Sequence, residues 1–154
     1  MTKTVVPPAL KAEHDELHAE LAAATKLPGA VGAAAREVAK LLHPHFIKEE
    51  EFALPPLGLL MTIARGGTVA GNEAVVAMAD RLKRELPDML AEHAAILDAL
   101  AKLAAAARAE GDEERLKFAE KLAAHARIEE AVMYPAAILV GDLVKLKLGT
   151  APVR

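Results

Sequence analysis

The chain has 154 residues, a formal net charge of −3 and no cysteine. That balance argues against a basic nucleic-acid surface and excludes disulfides, thiolate metal sites and iron–sulphur ligation, so any metal must be held by imidazole and carboxylate. The composition is 53% hydrophobic but only 3% aromatic and is rich in Ala and Leu, which favours an all-α protein of one domain, large enough to bury a core.

In chain order, residues 1–8 carry no apolar run of the signal-peptide kind. A first helix is predicted over 8–26, opening on a proline, which suits the first helical position, and stopping at Leu27-Pro28-Gly29. A second spans 30–53 and ends before Pro55-Pro56. Residues 57–71, apolar and Gly-rich, read as a loop with a short turn of helix. Residues 72–86 look helical and join a third helix, 87–109, through a kink at Pro87. Gly111-Asp112 closes that helix and offers an N-cap to a fourth, 113–134, ended by Pro135. The longest uncharged stretches, 52–64 and 131–141, fall short of the roughly 18–20 residues that span a bilayer. The expectation is a cytoplasmic protein with no membrane and no nucleic-acid partner.

The chain repeats itself. Pro8-Ala9-Leu10-Lys11-Ala12-Glu13-His14 recurs as Pro87-Asp88-Met89-Leu90-Ala91-Glu92-His93, and Leu17 and Leu21 map onto Ile96 and Leu100 at the same offset. His45-Phe46-Ile47-Lys48-Glu49-Glu50 recurs as His125-Ala126-Arg127-Ile128-Glu129-Glu130, and Pro55 and Pro135 each lie ten residues beyond their histidine. Two helical hairpins, at about 8–55 and 87–135, therefore predict an antiparallel up-down four-helix bundle with an internal pseudo-repeat, a single domain over 1–154.

Helical spacing places polar groups on apolar stripes. Val38, Leu42, His45, Glu49 and Phe52 share one face of the second helix; Phe118, Leu122, His125, Glu129 and Val132 share one face of the fourth. His14 lies in line with Leu10, Leu17 and Leu21, and His93 with Met89, Ile96 and Leu100. Four imidazoles and two carboxylates turned into a core would cost several kcal/mol unless they bonded one another or held metal. A single inward histidine is ordinarily a satisfied core residue, but six such positions recurring in register favour metal.

These residues resemble the hemerythrin-like, or HHE cation-binding, family: a His on the first helix, His-x-x-x-Glu on the second, and the same again on the third and fourth. The resemblance implies two iron ions, with His14 and His45 on one and His93 and His125 on the other. Glu49 and Glu129 would bridge them, with an oxo or hydroxo group completing the centre; zinc or manganese are alternative occupants. Oxygen-carrying members have a fifth histidine in a His-x-x-x-His pair on one helix. Here that pair is His14-x-x-x-His18, and the counterpart of His18 is Leu97, so His18 is either a seventh ligand or a boundary residue touching solvent. His43, two residues from His45, reads as a surface or outer-layer group. Glu13, Glu92, Glu50 and Glu130 beside the candidate ligands either support them or are solvated. Tyr134 and the five methionines read as packing.

The resemblance implies a non-haem diiron protein that binds or senses dioxygen or a related small diatomic. The alternative is diiron redox or stress chemistry: peroxide or nitric oxide decomposition, iron handling, or iron–sulphur repair, the last weakened by the lack of cysteine. A bundle in which the metal is only structural is a third, duller option. A ferritin-type oxidase is disfavoured because no His has a Glu three residues before it, and a metalloprotease because His-Glu-x-x-His is absent.

Overall fold

The computed structural model describes residues 5–149, and all of its regular structure is helical. Helix α1 runs Pro8–Thr25 and α2 Gly29–Lys48. A π-helical turn, Glu49–Ala53, continues α2 and leads through a 3₁₀ turn, Pro55–Leu59, into the short α3, Leu60–Ala64. Helix α4 spans Glu73–Glu110 and α5 Glu113–Ile128. A second π-helical turn, Glu129–Met133, joins α5 to α6, Tyr134–Gly149.

Local chemistry sets these boundaries. Pro8 occupies the first position of α1, where the missing N–H costs nothing. Gly111 closes α4 with φ +68, a left-handed conformation that is nearly free for glycine, and the Asp112 N–H reaches back to the Ala107 carbonyl at 2.8 Å. The Asp112 side chain then accepts from the Arg115 N–H at 3.1 Å, capping α5. The two helical segments expected to meet at Pro87 form one helix, α4, whose 38 residues give a path about 57 Å long.

The fourth helix departs from the sequence expectation. It does not end at Pro135; helical chain runs on to Gly149. The π turn ends with the Tyr134 N–H on the Glu129 carbonyl, five residues back, and leaves Pro135 in the first turn of α6, where no intrahelical donor is required. The first half has the same device, the Leu54 N–H donating to the Glu49 carbonyl at 2.8 Å. There a second proline and Gly58 follow, and the chain turns. The extra residue in each π turn also shifts the helical phase. Val132, expected on the inward stripe, is 59% exposed, and Tyr134 takes the core position instead, 0% exposed.

Helices α1, α2, α5 and the C-terminal part of α4 enclose the main core. Leu17, Leu21, Val38, Leu42, Phe46, Ile96, Leu100, Phe118 and Leu122 form one apolar cluster. Phe52, Leu54, Leu82, Met89 and Tyr134 form a second. On every helix of the bundle, the candidate ligands fall between these clusters. The N-terminal part of α4 pairs with α6 around Val75, Val140 and Val144. No helix among the described residues is long and apolar enough to cross a membrane.

The α4–α6 crossing is close because Gly141 has no side chain: a Cβ built there would lie 2.1 Å from the Ala79 Cβ. Gly141→Ala should therefore overpack this contact and cost roughly 1–3 kcal/mol in denaturant or thermal unfolding. Ala79→Gly added to that variant should restore part of the loss, whereas an unchanged midpoint for Gly141→Ala would mean that the helices separate freely.

Candidate metal centre

The six residues of the repeat converge. His14 comes from α1, His45 from α2, His93 from α4 and His125 from α5, and Glu49 and Glu129 each begin a π turn. All six side chains are at most 3% exposed, inside an otherwise apolar layer. His14, His125 and Glu129 put ligand atoms within 4.8 Å of one another, and so do His45, Glu49 and His93.

This grouping corrects the expected pairing of His14 with His45 and of His93 with His125. Helices α1 and α4 each pack against both α2 and α5, so helix adjacency alone leaves the pairing open. The ring directions decide it: the centroids of His14 and His125 are 5.2 Å apart, and those of His45 and His93 4.6 Å apart. Each histidine pair is drawn from both halves of the repeat, one from a first helix and one from a second.

The carboxylates link the two groups. Glu49 Oε1 lies 3.0 Å from His45 Nε2 and 3.7 Å from His93 Nε2, whereas its Oε2 lies 3.5 Å from His14 Nε2. Glu129 Oε2 faces His125 and His14 Nε2 at 3.4 and 3.6 Å, and its Oε1 faces His93 Nε2 at 3.6 Å. One oxygen of each carboxylate thus belongs to each histidine pair, the disposition a bridging carboxylate requires.

Four further glutamates stand behind the imidazoles. His125 Nδ1 is 2.8 Å from Glu13 Oε1, His45 Nδ1 2.6 Å from Glu92 Oε2, and His93 Nδ1 3.0 Å from Glu130 Oε1. Glu50 Oε1 stands 3.6 Å from His14 Nδ1 and is shared with Lys11, 3.4 Å away. Each is half-buried or at the surface. A carboxylate on Nδ1 fixes the proton there and turns the Nε2 lone pair inwards, which is how metal-binding histidines are commonly oriented. These are the glutamates that flank the ligands in sequence, and each serves a histidine on a different helix.

Without a cation the centre is electrostatically unsettled. His14 Nδ1 and Nε2, His125 Nε2, Glu49 Oε2 and Glu129 Oε2 are buried without a hydrogen-bond partner. Burial opposes protonation of His125, but Glu129 and Glu13, on either side of the ring, outweigh it and raise its pKa to about 9. Burial opposes protonation of His45 too, and Glu49 and Glu92 overcome it. Glu129 is pushed up by burial and by the charge of Glu49. Glu49 is held well below the usual carboxylate range, because the hydrogen bonds from His45 and His93 exceed its own desolvation. Two carboxylates sharing a dry site call for positive charge. Orphaned donor atoms, and a donor set of four imidazole nitrogens and two bridging carboxylates, fit a pair of metal ions.

Two residues stand apart from the six: His18, whose exposure matches the boundary alternative, and Tyr134. His18 belongs to neither group: it is exposed, its ring 5.7 Å from that of His43 and 6.5 Å from that of Phe46. Leu17, fully buried, holds the inward position at that level of α1, so the next residue is turned about 100° away. Phe46 instead stacks on His14, centroids 4.2 Å apart and planes within 12°. His43 is exposed, as expected. Tyr134 does more than pack. Its hydroxyl donates to Glu49 Oε1 at 2.5 Å and lies 3.2 Å from His45 Nε2 and 3.1 Å from His93 Nε2. It stands five residues after Glu129, one π turn rather than one α turn, so helical periodicity hides it. The signal available was its place in the repeat, opposite Leu54, beside the trailing proline of the motif.

Fold and site together define a class: an all-α bundle with a buried, carboxylate-linked cation-binding centre. The chain matches the model of the hemerythrin HHE cation-binding domain over residues 6–137, and it belongs to that family. No curated protein and no solved structure matches it.

Two outcomes follow from the carboxylates around the imidazoles. Glu92→Gln should weaken metal binding about 10–100-fold in a chelator competition, because it loosens the hold on His45, whereas Glu51→Gln, at an exposed position, should leave affinity unchanged. In the metal-free protein, His125 has a pKa raised from 6.5 to about 9. The stability it contributes is complete below pH 6.5 and lost as pH rises through 9. Thermal unfolding of chelated protein should therefore move to lower temperature between those limits, and the slope should flatten in His125→Gln.

Proposed function

We propose that the chain holds two iron ions, bridged by Glu49 and Glu129, and binds or senses dioxygen or a related small diatomic there. The observation that carries the reading is the reach of each carboxylate into both histidine pairs, together with the buried polar atoms left without partners. His14, His125 and Glu129 would hold one ion, and His45, His93 and Glu49 the other. Iron in a set of imidazole and carboxylate donors supplies reversible electron transfer and affinity for diatomic ligands.

The residues supply selectivity and protection. Glu13, Glu92 and Glu130 accept the Nδ1 protons and keep the imidazoles in one tautomer. The apolar clusters on both sides exclude water, which favours reversible ligand binding over proton-assisted oxidation. A surface cleft of about 300 Å³, lined by Lys11, His14, His18, His43, Phe46 and Glu50, runs up to His14. It gives a small ligand a path to that histidine pair. In this reading His18 and His43 line an entrance and take no part in ligation.

Metal-free protein loaded anaerobically with ferrous iron, then exposed to air, tests the proposal. The expected result is close to two irons per chain and a visible spectrum that reverses when oxygen is removed. His18→Ala should load as much iron and give the same spectrum. An iron content far below two sinks the diiron centre. Prompt irreversible oxidation, or fast peroxide turnover, replaces the binding role with redox chemistry.

A further inference from the structure

The two halves of the centre are unequal, and the inequality rests on one residue. The repeat sets each of the six converging residues against a like residue, but Tyr134 against Leu54. Both follow their bridging glutamate by one π turn and both are fully buried. After Glu129 this position delivers a phenol oxygen to His45 and His93; after Glu49 it delivers a hydrocarbon side chain to the apolar cluster. The unpartnered atoms follow the same division. His14 Nε2 and His125 Nε2 have no hydrogen-bond partner, whereas His45 Nε2 and His93 Nε2 both face the Tyr134 hydroxyl.

We propose that Tyr134 Oη is a protein ligand to the metal ion held by His45, His93 and Glu49. This rests on the dimetal reading above and adds a seventh donor to it. Oη lies 3.2 and 3.1 Å from the two Nε2 atoms and 2.5 Å from Glu49 Oε1. Metal–donor bonds of about 2.1 Å place neighbouring donors about 3.0 Å apart in an octahedron and about 3.4 Å apart in a tetrahedron. The phenol oxygen is thus spaced from the two Nε2 atoms as a member of one coordination shell, while its 2.5 Å contact with Glu49 Oε1 is that of a hydrogen bond, which a metal ion would replace.

Hydrogen bonding alone leaves this group mismatched. The hydroxyl has a single proton, and Glu49 takes it. Glu92 and Glu130 take the Nδ1 sides of His45 and His93, so whenever those rings are neutral both Nε2 lone pairs face the same oxygen. A cation among them satisfies every lone pair at once. On binding, the O–H bond of Tyr134 gives way to an oxygen–metal bond, and the proton leaves to water.

The consequence is a division of labour. Tyr134 fills a coordination position on the His45–His93 side. Leu54, its counterpart in the repeat, has no donor atom to offer, and the cleft reaches His14 of the other pair. An incoming diatomic therefore has one place to bind.

Tyr134 is the only tyrosine in the chain, so any tyrosinate signal belongs to it. The test is visible absorption and resonance Raman spectroscopy of protein loaded with iron and oxidised to the ferric state, with iron per chain measured on the same sample. The expected result is a visible charge-transfer band whose excitation enhances tyrosine ring vibrations. Both should vanish in Tyr134→Phe while circular dichroism stays unchanged. Iron-loaded wild-type protein without those vibrations overturns the ligand assignment and leaves the diiron reading intact. Protein that takes up no iron overturns both.

Discussion

Two carboxylates and four imidazoles buried side by side in an apolar layer set the terms for this fold. Desolvation penalises each charge, and the Coulomb repulsion between Glu49 and Glu129 adds to the penalty. The chain meets it in stages. Outer glutamates hold the imidazoles, a proton on His125 supplies part of the missing positive charge, and metal would supply the rest. The bundle is the scaffold that makes such a cluster possible. It brings one donor-bearing stripe from each of four helices to a common level, with hydrocarbon above and below.

The repeat explains why outer glutamates and ligands exchange between helices. Glu13 precedes His14 in sequence but serves His125, and Glu92 precedes His93 but serves His45. Adjacent residues on a helix point about 100° apart, so a glutamate next to a ligand cannot reach that ligand's ring and turns to the neighbouring helix. Pseudo-twofold symmetry then ensures that each helix both gives and receives. This interlocking ties α1 to α5 and α2 to α4 by charge-assisted hydrogen bonds at the same level as the metal donors. Orientation of the ligands and cohesion of the bundle are one set of contacts.

Much of this was legible in the sequence because it is periodic. The helices, the inward direction of His14, His45, His93 and His125, and the shared role of Glu49 and Glu129 all follow from spacing and repetition. What stayed hidden depends on departures from α-helical phase or on which helices become neighbours. The histidine pairing required knowing which of its two neighbouring helices each ring turns towards, which local spacing does not encode. Val132 and Tyr134 exchanged places because a π turn adds a residue that 3.6-residue periodicity cannot anticipate. Pro135 reads as a helix terminator, yet the same π turn makes it an initiator. For His18 the spacing leaves two alternatives open, four residues from an inward histidine being close to the stripe; Leu17 already occupies the inward position.

The π turns have a consequence beyond phase. An α-helical step after Glu129 would present Met133, one residue short of Tyr134. The wider turn rotates Tyr134 towards Glu49 and carries its hydroxyl to two histidines of other helices. In the first half the identical backbone device presents Leu54 to the apolar cluster. A duplicated scaffold therefore needs only one unlike side chain at a matched backbone position to break the equivalence of its two halves. Symmetry of backbone and ligands allows two ions to be held alike, and the difference between Tyr134 and Leu54 allows them to act differently. The surface repeats the distinction, since the cleft beside His14 is lined by Phe46, His18 and His43, whose counterparts in the repeat are Ala126, Leu97 and Ala123. The departures from the repeat thus fall beside His14, at the cleft, and against His45 and His93, at Tyr134.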